Sequence, residues 1–156
     1  MRTLAGFAFL ACLLLCGCLP STGGPAGGTA GGSSDPEADL IAAYRQAHAS
    51  QDVDAILALY CFDRVDAEMR ETVRGNVSDE LLAPIKSIRI EPADPQAHGP
   101  RAEGGIRWRP SLDVVALMTV EYDTSSVPPG SFVFTQAQHP VGKSGRRYQL
   151  TVTVRE

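Results

Sequence analysis

The chain contains few of the residues that cross-link a small domain through disulfides or metal ions, or that form a reactive centre. It has 4 cysteines and 3 histidines in 156 residues, and Cys61 is the only cysteine after residue 18. A disulfide within that remainder is excluded, so its stability must come from an apolar core. Three scattered histidines and one thiol do not match the spacing of a zinc site. We therefore expect no metal and no cofactor.

Positive charge is also scarce. Lysine and arginine together number 14 against 18 aspartates and glutamates, for a net charge of −4, and no basic run occurs. A protein without a basic patch has little affinity for phosphate backbones, so we expect no nucleic-acid partner. The sequence also lacks a nucleophile motif and a phosphate-binding loop, so no class of enzyme is directly indicated.

Near the N-terminus, an almost purely apolar stretch runs from Leu4 to Leu15 and follows a single positive charge at Arg2. About a dozen apolar residues are too few to cross a hydrocarbon core of roughly 30 Å. A short apolar run behind a positive residue is instead typical of a signal peptide.

The end of this run resembles the lipobox of bacterial lipoproteins, with Leu15 at position −3 and Gly17 at position −1 before Cys18. The resemblance implies that residues 1–17 are a lipoprotein signal peptide and that Cys18 is the lipidated residue. Cys12 and Cys16 fit this pattern less well. An ordinary secretory signal, cleaved further along the chain, is the alternative.

A lipidated Cys18 implies a permanent membrane anchor, because each buried CH₂ contributes about 0.8 kcal/mol and such lipoproteins carry several acyl chains. Leu19 follows the cysteine, where an aspartate would imply retention at the inner membrane. The resemblance therefore implies a cell-envelope protein, anchored in the outer membrane and facing the periplasm. Residues 18–35 are rich in Gly, Ser and Pro and predict a flexible tether, which leaves residues 36–156 as one domain.

The beginning of the domain has the pattern of helices. Asp35 can cap a first helix that has Pro36 at its first position, and Asp52 can cap a second. A third helix is predicted from Asp63 to Arg74, with Gly75 ending it.

In the rest of the domain, apolar and polar residues alternate with a period of two, which predicts strands. In the last strand, alternate residues face inward and the residues between them, Gln149, Thr151, Thr153 and Arg155, face outward. Helices followed by a meander of strands predict an α+β fold, with N-terminal helices packed on a curved antiparallel sheet.

Residues 40–60 read LIAAYRQAHASQDVDAILALY. This segment resembles the opening of the nuclear-transport-factor-2-like superfamily, which includes ketosteroid isomerases and SnoaL-like polyketide cyclases. The resemblance implies a cystatin-like cone, in which helices and a concave sheet enclose a pocket. It implies nothing definite about activity, because this fold serves enzymes and non-enzymes alike.

Two residues are candidates for acid–base chemistry in such a pocket. His48 lies on the inward face of the first helix, and Asp63 follows at a point where the family often carries a pocket acid. The alternatives are a histidine at the edge of the core and a helix cap. His98 and His139 lie in turn-rich sequence, and we expect both to be solvated.

Aromatic residues could line the pocket, although side chains at this spacing can equally be core. The candidates are Tyr44, Tyr60, Trp108, Tyr122 and Tyr148.

We therefore expect a membrane-anchored envelope lipoprotein whose domain is a non-catalytic binding or assembly module. Its partner would be a small apolar ligand, an envelope protein, or a second copy bound through the sheet face. The alternative is an isomerase-like or cyclase-like enzyme that uses His48 and Asp63 on a small molecule.

Overall fold

A computed structural model describes residues 35–128 and 133–155. The predicted signal peptide, Cys18 and the part of the predicted tether before Asp35 lie outside the described residues. Within them, no helix is both long and apolar enough to span a membrane.

In the described part of the chain, three helices precede most of the strands, and a fourth, single-turn helix lies between two strands. The helices are α1 (Pro36–Ala49), α2 (Val53–Leu57), α3 (Ala67–Glu80) and α4 (Pro95–His98). The two predicted caps are confirmed, since Asp35 accepts the backbone N–H of Glu37 at 3.1 Å and Asp52 accepts that of Ala55 at 2.9 Å. These short polar side chains satisfy donors that a helix leaves free at its start.

The prediction for α3 was wrong at both ends. The helix is capped by Asp66, whose carboxylate accepts the Met69 N–H at 2.7 Å, and it continues through Gly75 to Glu80. Glycine costs a helix only about 1 kcal/mol, so burial of Val77 further along is enough to carry the helix past it. The extension moves the end of α3 onto the core.

Within residues 35–128 and 133–155, eight strands form two sheets. They are β1 (Tyr60–Cys61), β2 (Ile85–Pro92), β3 (Arg101–Glu103), β4 (Ile106–Pro110), β5 (Val114–Tyr122), β6 (Gln136–Ser144), β7 (Arg147–Thr151) and β8 (Thr153–Arg155). The larger sheet has the order β1-β7-β6-β5-β2, and the smaller has the order β3-β4-β8. Among these described strands, all pairs are antiparallel except β1 with β7. The predicted α+β class, with helices on an antiparallel-rich curved sheet, is confirmed.

The last strand predicted from the sequence is in fact two strands. The chain leaves the larger sheet at Val152, because the backbone of Val152 bonds to Ser111 instead of to a strand. The Ser111 N–H donates to the Val152 carbonyl at 2.7 Å, and the Val152 N–H donates to the Ser111 hydroxyl. The strand β8 then joins the smaller sheet. Thr151, expected to face outward, is buried, whereas Arg155 is exposed.

The main core lies between α1, α2, the end of α3 and the larger sheet. Its fully buried members include Tyr44, Ile56, Met118 and Leu150. A smaller cluster of Val65, Val152 and Val154 joins β8 to the start of α3. Burial at about 25 cal/mol per Å² makes such apolar contacts the main source of stability. The polar groups described next lie inside the larger core.

Candidate functional site

Five polar side chains converge inside the larger core from five different elements. Tyr44 comes from the middle of α1, Glu80 from the last residue of α3, and Tyr122 from the last residue of β5. Tyr60 begins β1, and His139 lies in β6 opposite Met118. We call these five residues the core network. Only the extension of α3 beyond Gly75 brings Glu80 into it.

The carboxylate of Glu80 is the centre of the core network. Its Oε2 accepts the hydroxyl of Tyr44 at 2.7 Å and the hydroxyl of Tyr122 at 3.0 Å, and it lies 3.3 Å from Nε2 of His139. Glu80 and His139 are each only 5% exposed. A buried carboxylate is costly unless donors surround it, and here three donors point at one oxygen.

These donors decide the charge of Glu80. Burial alone would raise the pKa of its carboxyl, but the hydrogen bonds from His139, Tyr44 and Tyr122 outweigh burial and hold the pKa below its usual value of 4.5. Glu80 is therefore ionised at neutral pH. An ionised carboxylate has no proton to donate, so the site lacks a general acid at this position.

The imidazole of His139 links Glu80 to Tyr60. Because the Glu80 carboxylate is only an acceptor, Nε2 of His139 must carry a proton and donate it. On the other side of the ring, Nδ1 lies 2.9 Å from the hydroxyl of Tyr60. A neutral ring accepts the Tyr60 proton there, and a charged ring donates to the Tyr60 oxygen. Either state leaves both ring nitrogens bonded.

The three phenols stay neutral. Burial, with the Glu80 carboxylate close by, raises the pKa of Tyr44, Tyr60 and Tyr122 well above the usual 10. A phenol with a raised pKa is a weaker acid, so the hydroxyls of Tyr44 and Tyr122 donate hydrogen bonds to the carboxylate without transferring their protons to it.

The candidate His48 lies beside the core network. Its ring stacks on Tyr122 at a centroid distance of 5.9 Å, and its Nε2 is 3.3 Å from the backbone carbonyl of Glu80. The second candidate, Asp63, is exposed in the connection between β1 and α3. The hydrogen bond of His48 is to the backbone at the end of α3, and no bond between His48 and Asp63 occurs within residues 35–128 and 133–155.

The structure divides the five aromatic candidates. Tyr44, Tyr60 and Tyr122 meet in the core network. Tyr148 instead lines a surface groove beside the start of α1, and Trp108 lies in the smaller sheet. Tyr44 and Tyr122 therefore bond to the Glu80 carboxylate and Tyr60 bonds to His139, whereas the other two aromatic residues line surface pockets.

The core network is closed. Every buried side-chain nitrogen and oxygen of the described residues has a hydrogen-bond partner. Neither Glu80 nor His139 lines any of the five best-defined pockets on the surface of these residues. A reaction centre needs room for a substrate beside its acid and base, whereas here the carboxylate, the imidazole and the hydroxyls contact one another. What the arrangement does chemically is bind the end of α3 to the sheet.

Sequence reasoning missed Glu80, and it wrongly expected His139 to be solvated. Two periodic signals were present for these residues. Val73, Val77 and Glu80 follow a helical spacing that continues through Gly75, and this spacing puts Glu80 on the inward face. His139 alternates with Ala137 and Val141, which is the inward period of a strand.

Within the described part of the chain, no group of three His, Cys, Asp or Glu residues could hold a metal ion. Comparison with known proteins adds no relative: no protein-family model, no curated protein and no solved structure matches the chain significantly. The function must therefore be argued from the residues themselves.

Proposed function

We propose that the protein is a lipid-anchored lipoprotein of the cell envelope whose domain is a non-catalytic binding or assembly module. The observation that carries the proposal is the closed core network. The interior position where an enzyme of this shape would hold its substrate is occupied by Tyr44, Glu80 and His139, which bond to one another. Recognition of a partner then belongs to the outer surface.

The fold proposed for this module is that of the nuclear-transport-factor-2-like superfamily. Two capped helices at residues 36–57 precede a curved sheet, and the segment that carries the resemblance supplies both Tyr44 and Tyr60. The helices pack over the concave sheet in the order that the resemblance implies. The smaller sheet β3-β4-β8 is an addition to that pattern.

The alternative, an isomerase-like or cyclase-like enzyme, requires His48 and Asp63 to reach one bound ligand. His48 is 5% exposed and its Nε2 lies against the Glu80 carbonyl, whereas Asp63 is exposed. General acid–base catalysis needs both groups within about 3 Å of the same reacting atoms. Their separate surroundings support the non-catalytic role.

The anchor is proposed from Leu15, Gly17 and Cys18. Attachment at Cys18, in the outer membrane and facing the periplasm, would place the domain at the end of a tether of residues 18–35. A Gly- and Ser-rich tether of this length has a root-mean-square reach of roughly 20–25 Å. The domain could then contact partners near the membrane while rotating freely.

The test is metabolic labelling with radioactive palmitate in a bacterial host. We expect the full chain to incorporate label and to sediment with outer-membrane vesicles, and Cys18→Ser to lose both properties. The matched control is Cys16→Ser, which removes a neighbouring thiol and should keep the label. Label retained by Cys18→Ser, or a wild-type protein released in soluble form, would refute the anchor.

A further inference from the structure

The turn between β6 and β7 concentrates positive charge in a chain whose net charge is −4. Residues 143–147 read KSGRR, so three of these five residues are basic. We call residues 143–147 the basic hairpin. Its basic residues, Lys143, Arg146 and Arg147, are exposed and form no ion pair with residues 35–128 or 133–155. Their charge is therefore available to a partner outside the domain.

The strand register spreads these charges around the tip of the hairpin. Ser144 pairs with Arg147, and the turn between them consists of Gly145 and Arg146. Lys143 belongs to the next pair along the ribbon, so it projects from the opposite face to Arg147. Charges that point in different directions do not converge on one small anion. They can all reach a broad anionic surface that meets the hairpin end-on.

The basic hairpin lies beside the start of α1. A surface groove of about 450 Å³ is lined by Pro36 and Asp39 of α1 and by Arg146 and Arg147 of the hairpin. Pro36 is the first residue of α1 and comes directly after the predicted tether. The chain that leads to the proposed anchor therefore joins the domain next to its basic hairpin.

Carboxylates also lie at the start of α1. Asp39 lines the groove beside the two arginines, and Asp35 and Glu37 are exposed in the same turn of the chain. The Asp35 carboxylate accepts the backbone N–H of Glu37, and the positive end of the helix dipole offsets part of the charge of all three. Their side chains are shorter than those of arginine and lysine, whose charged heads stand on long flexible stems. A broad anionic surface can therefore contact the basic heads while it stays further from the carboxylates.

We infer that the basic hairpin binds the phosphate headgroups of anionic phospholipids in the membrane to which the chain is anchored, so that the domain rests on that membrane by this end. Each basic side chain near an anionic surface strengthens binding only about fivefold, so three of them give a free protein little affinity. A tethered domain needs less, because a tether with a reach of roughly 20–25 Å keeps the hairpin at a high effective concentration beside the surface. A soluble anion lacks that advantage. The inference rests on the anchor proposed at Cys18.

The test places an environment-sensitive fluorophore on the basic hairpin. Ser144→Cys provides the attachment point, since Cys61 is buried and Cys18 carries the lipid in the proposed mature protein. The purified lipidated protein is reconstituted into vesicles of phosphatidylcholine alone or of equal parts phosphatidylcholine and phosphatidylglycerol. We expect a blue shift of the fluorophore with the anionic vesicles only, and its loss in about 1 M salt, where the screening length is about 3 Å.

Charge variants of the labelled protein give the sign of the effect. Arg146→Gln combined with Arg147→Gln should weaken docking roughly 25-fold, as two fivefold contributions imply, and abolish the shift. The matched control, Arg101→Gln combined with Arg107→Gln, removes two exposed arginines from the smaller sheet and should keep the shift. Asp39→Asn removes the carboxylate beside the hairpin arginines and should enlarge the shift.

A second label position separates docking of the hairpin from general contact with the membrane. Val114 begins β5 opposite Gly142, next to the hairpin, so Ser126, which follows the other end of β5, lies away from it. A fluorophore at Ser126→Cys should respond to neither vesicle. Equal responses at the two label positions, or equal shifts with neutral and anionic vesicles, would overturn the inference.

Two further outcomes distinguish the lipid and the anchor. If soluble glycerol phosphate added to neutral vesicles produced as large a shift as the anionic vesicles, the choice of a lipid headgroup would be wrong. Protein that associates with neither vesicle would show that the anchor has failed and the inference with it. Protein that associates with both vesicles but gives no shift would keep the anchor and overturn the hairpin contact alone.

Discussion

Replacing Glu80 with glutamine is the perturbation that the structure describes most completely. Glutamine has nearly the same shape, so the change isolates the charge. In the wild-type protein, three donors converge on Oε2 of Glu80, from Tyr44, Tyr122 and His139. Hydrogen bonds to a charged group contribute about 1.5–3 kcal/mol each, and neutral ones about 0.5–1.5 kcal/mol.

Weakening three such bonds by about 1 kcal/mol each predicts that Glu80→Gln lowers the free energy of unfolding by roughly 3 kcal/mol. With a urea dependence of about 1.5 kcal/mol per M, the unfolding midpoint should fall by about 2 M.

The measurement is urea unfolding at pH 7, followed by circular dichroism and by the fluorescence of Trp108. The control is Glu71→Gln on the same helix, because Glu71 is exposed and its contact with Arg74 is 4.0 Å long. An exposed pair of this kind contributes less than about 1 kcal/mol, so the control midpoint should barely move. A Glu80→Gln protein within about 0.5 kcal/mol of wild type would refute the view that the carboxylate holds α3 to the sheet.

Three further outcomes follow from the same structure. The folded pKa of Glu80 lies below its usual 4.5, so the stabilisation by Glu80 is present above pH 4.5 and is lost as pH falls through the folded value. The stability gap between wild type and Glu80→Gln should therefore narrow in urea titrations between pH 5 and pH 2, and a constant gap would contradict the assigned charge. Tyr44→Phe removes the hydroxyl that donates to Glu80 at 2.7 Å and should lower the free energy of unfolding by about 1.5–3 kcal/mol in the same urea assay. An unchanged free energy of unfolding would show that this hydrogen bond does not stabilise the fold. Gly142→Ala would place a Cβ against Leu112 and should lower the free energy of unfolding by about 1–3 kcal/mol. Gly75→Ala adds a Cβ to a helix where no atom lies within 4 Å, and it should raise that free energy by about 0.5–1 kcal/mol. Thermal unfolding measures both variants, and a Gly142→Ala protein more stable than Gly75→Ala would contradict this packing.

Local chemistry made α1 and α2 predictable from the sequence. Asp35 with Pro36, and Asp52 with the apolar spacing behind it, specify helix starts within a few residues, and both caps form as expected. The strands of the larger sheet were predictable because apolar and polar residues alternate along them, as at Leu150 and the residues around it. These features depend only on neighbours in the chain.

The core network was not predictable, because it depends on contacts between distant residues. A glycine at position 75 usually ends a helix, and only the burial of Val77 and Glu80 against the sheet reverses that preference. The departure of the chain from the larger sheet at Val152 depends on Ser111, which lies 41 residues earlier. His139 has a polar neighbourhood in sequence, but its partners Glu80 and Tyr60 come from other elements.

The most direct test of the central claim is nuclear magnetic resonance of the His139 ring. If the core network is closed and structural, the Nε2 proton donated to Glu80 is protected from water. We expect a resolved downfield ring N–H signal at pH 7 that exchanges slowly with solvent and is absent in His139→Gln. A His139 proton that exchanges with water as fast as in free imidazole would mean that solvent reaches the network, and the interior would then have to be reconsidered as a reaction site.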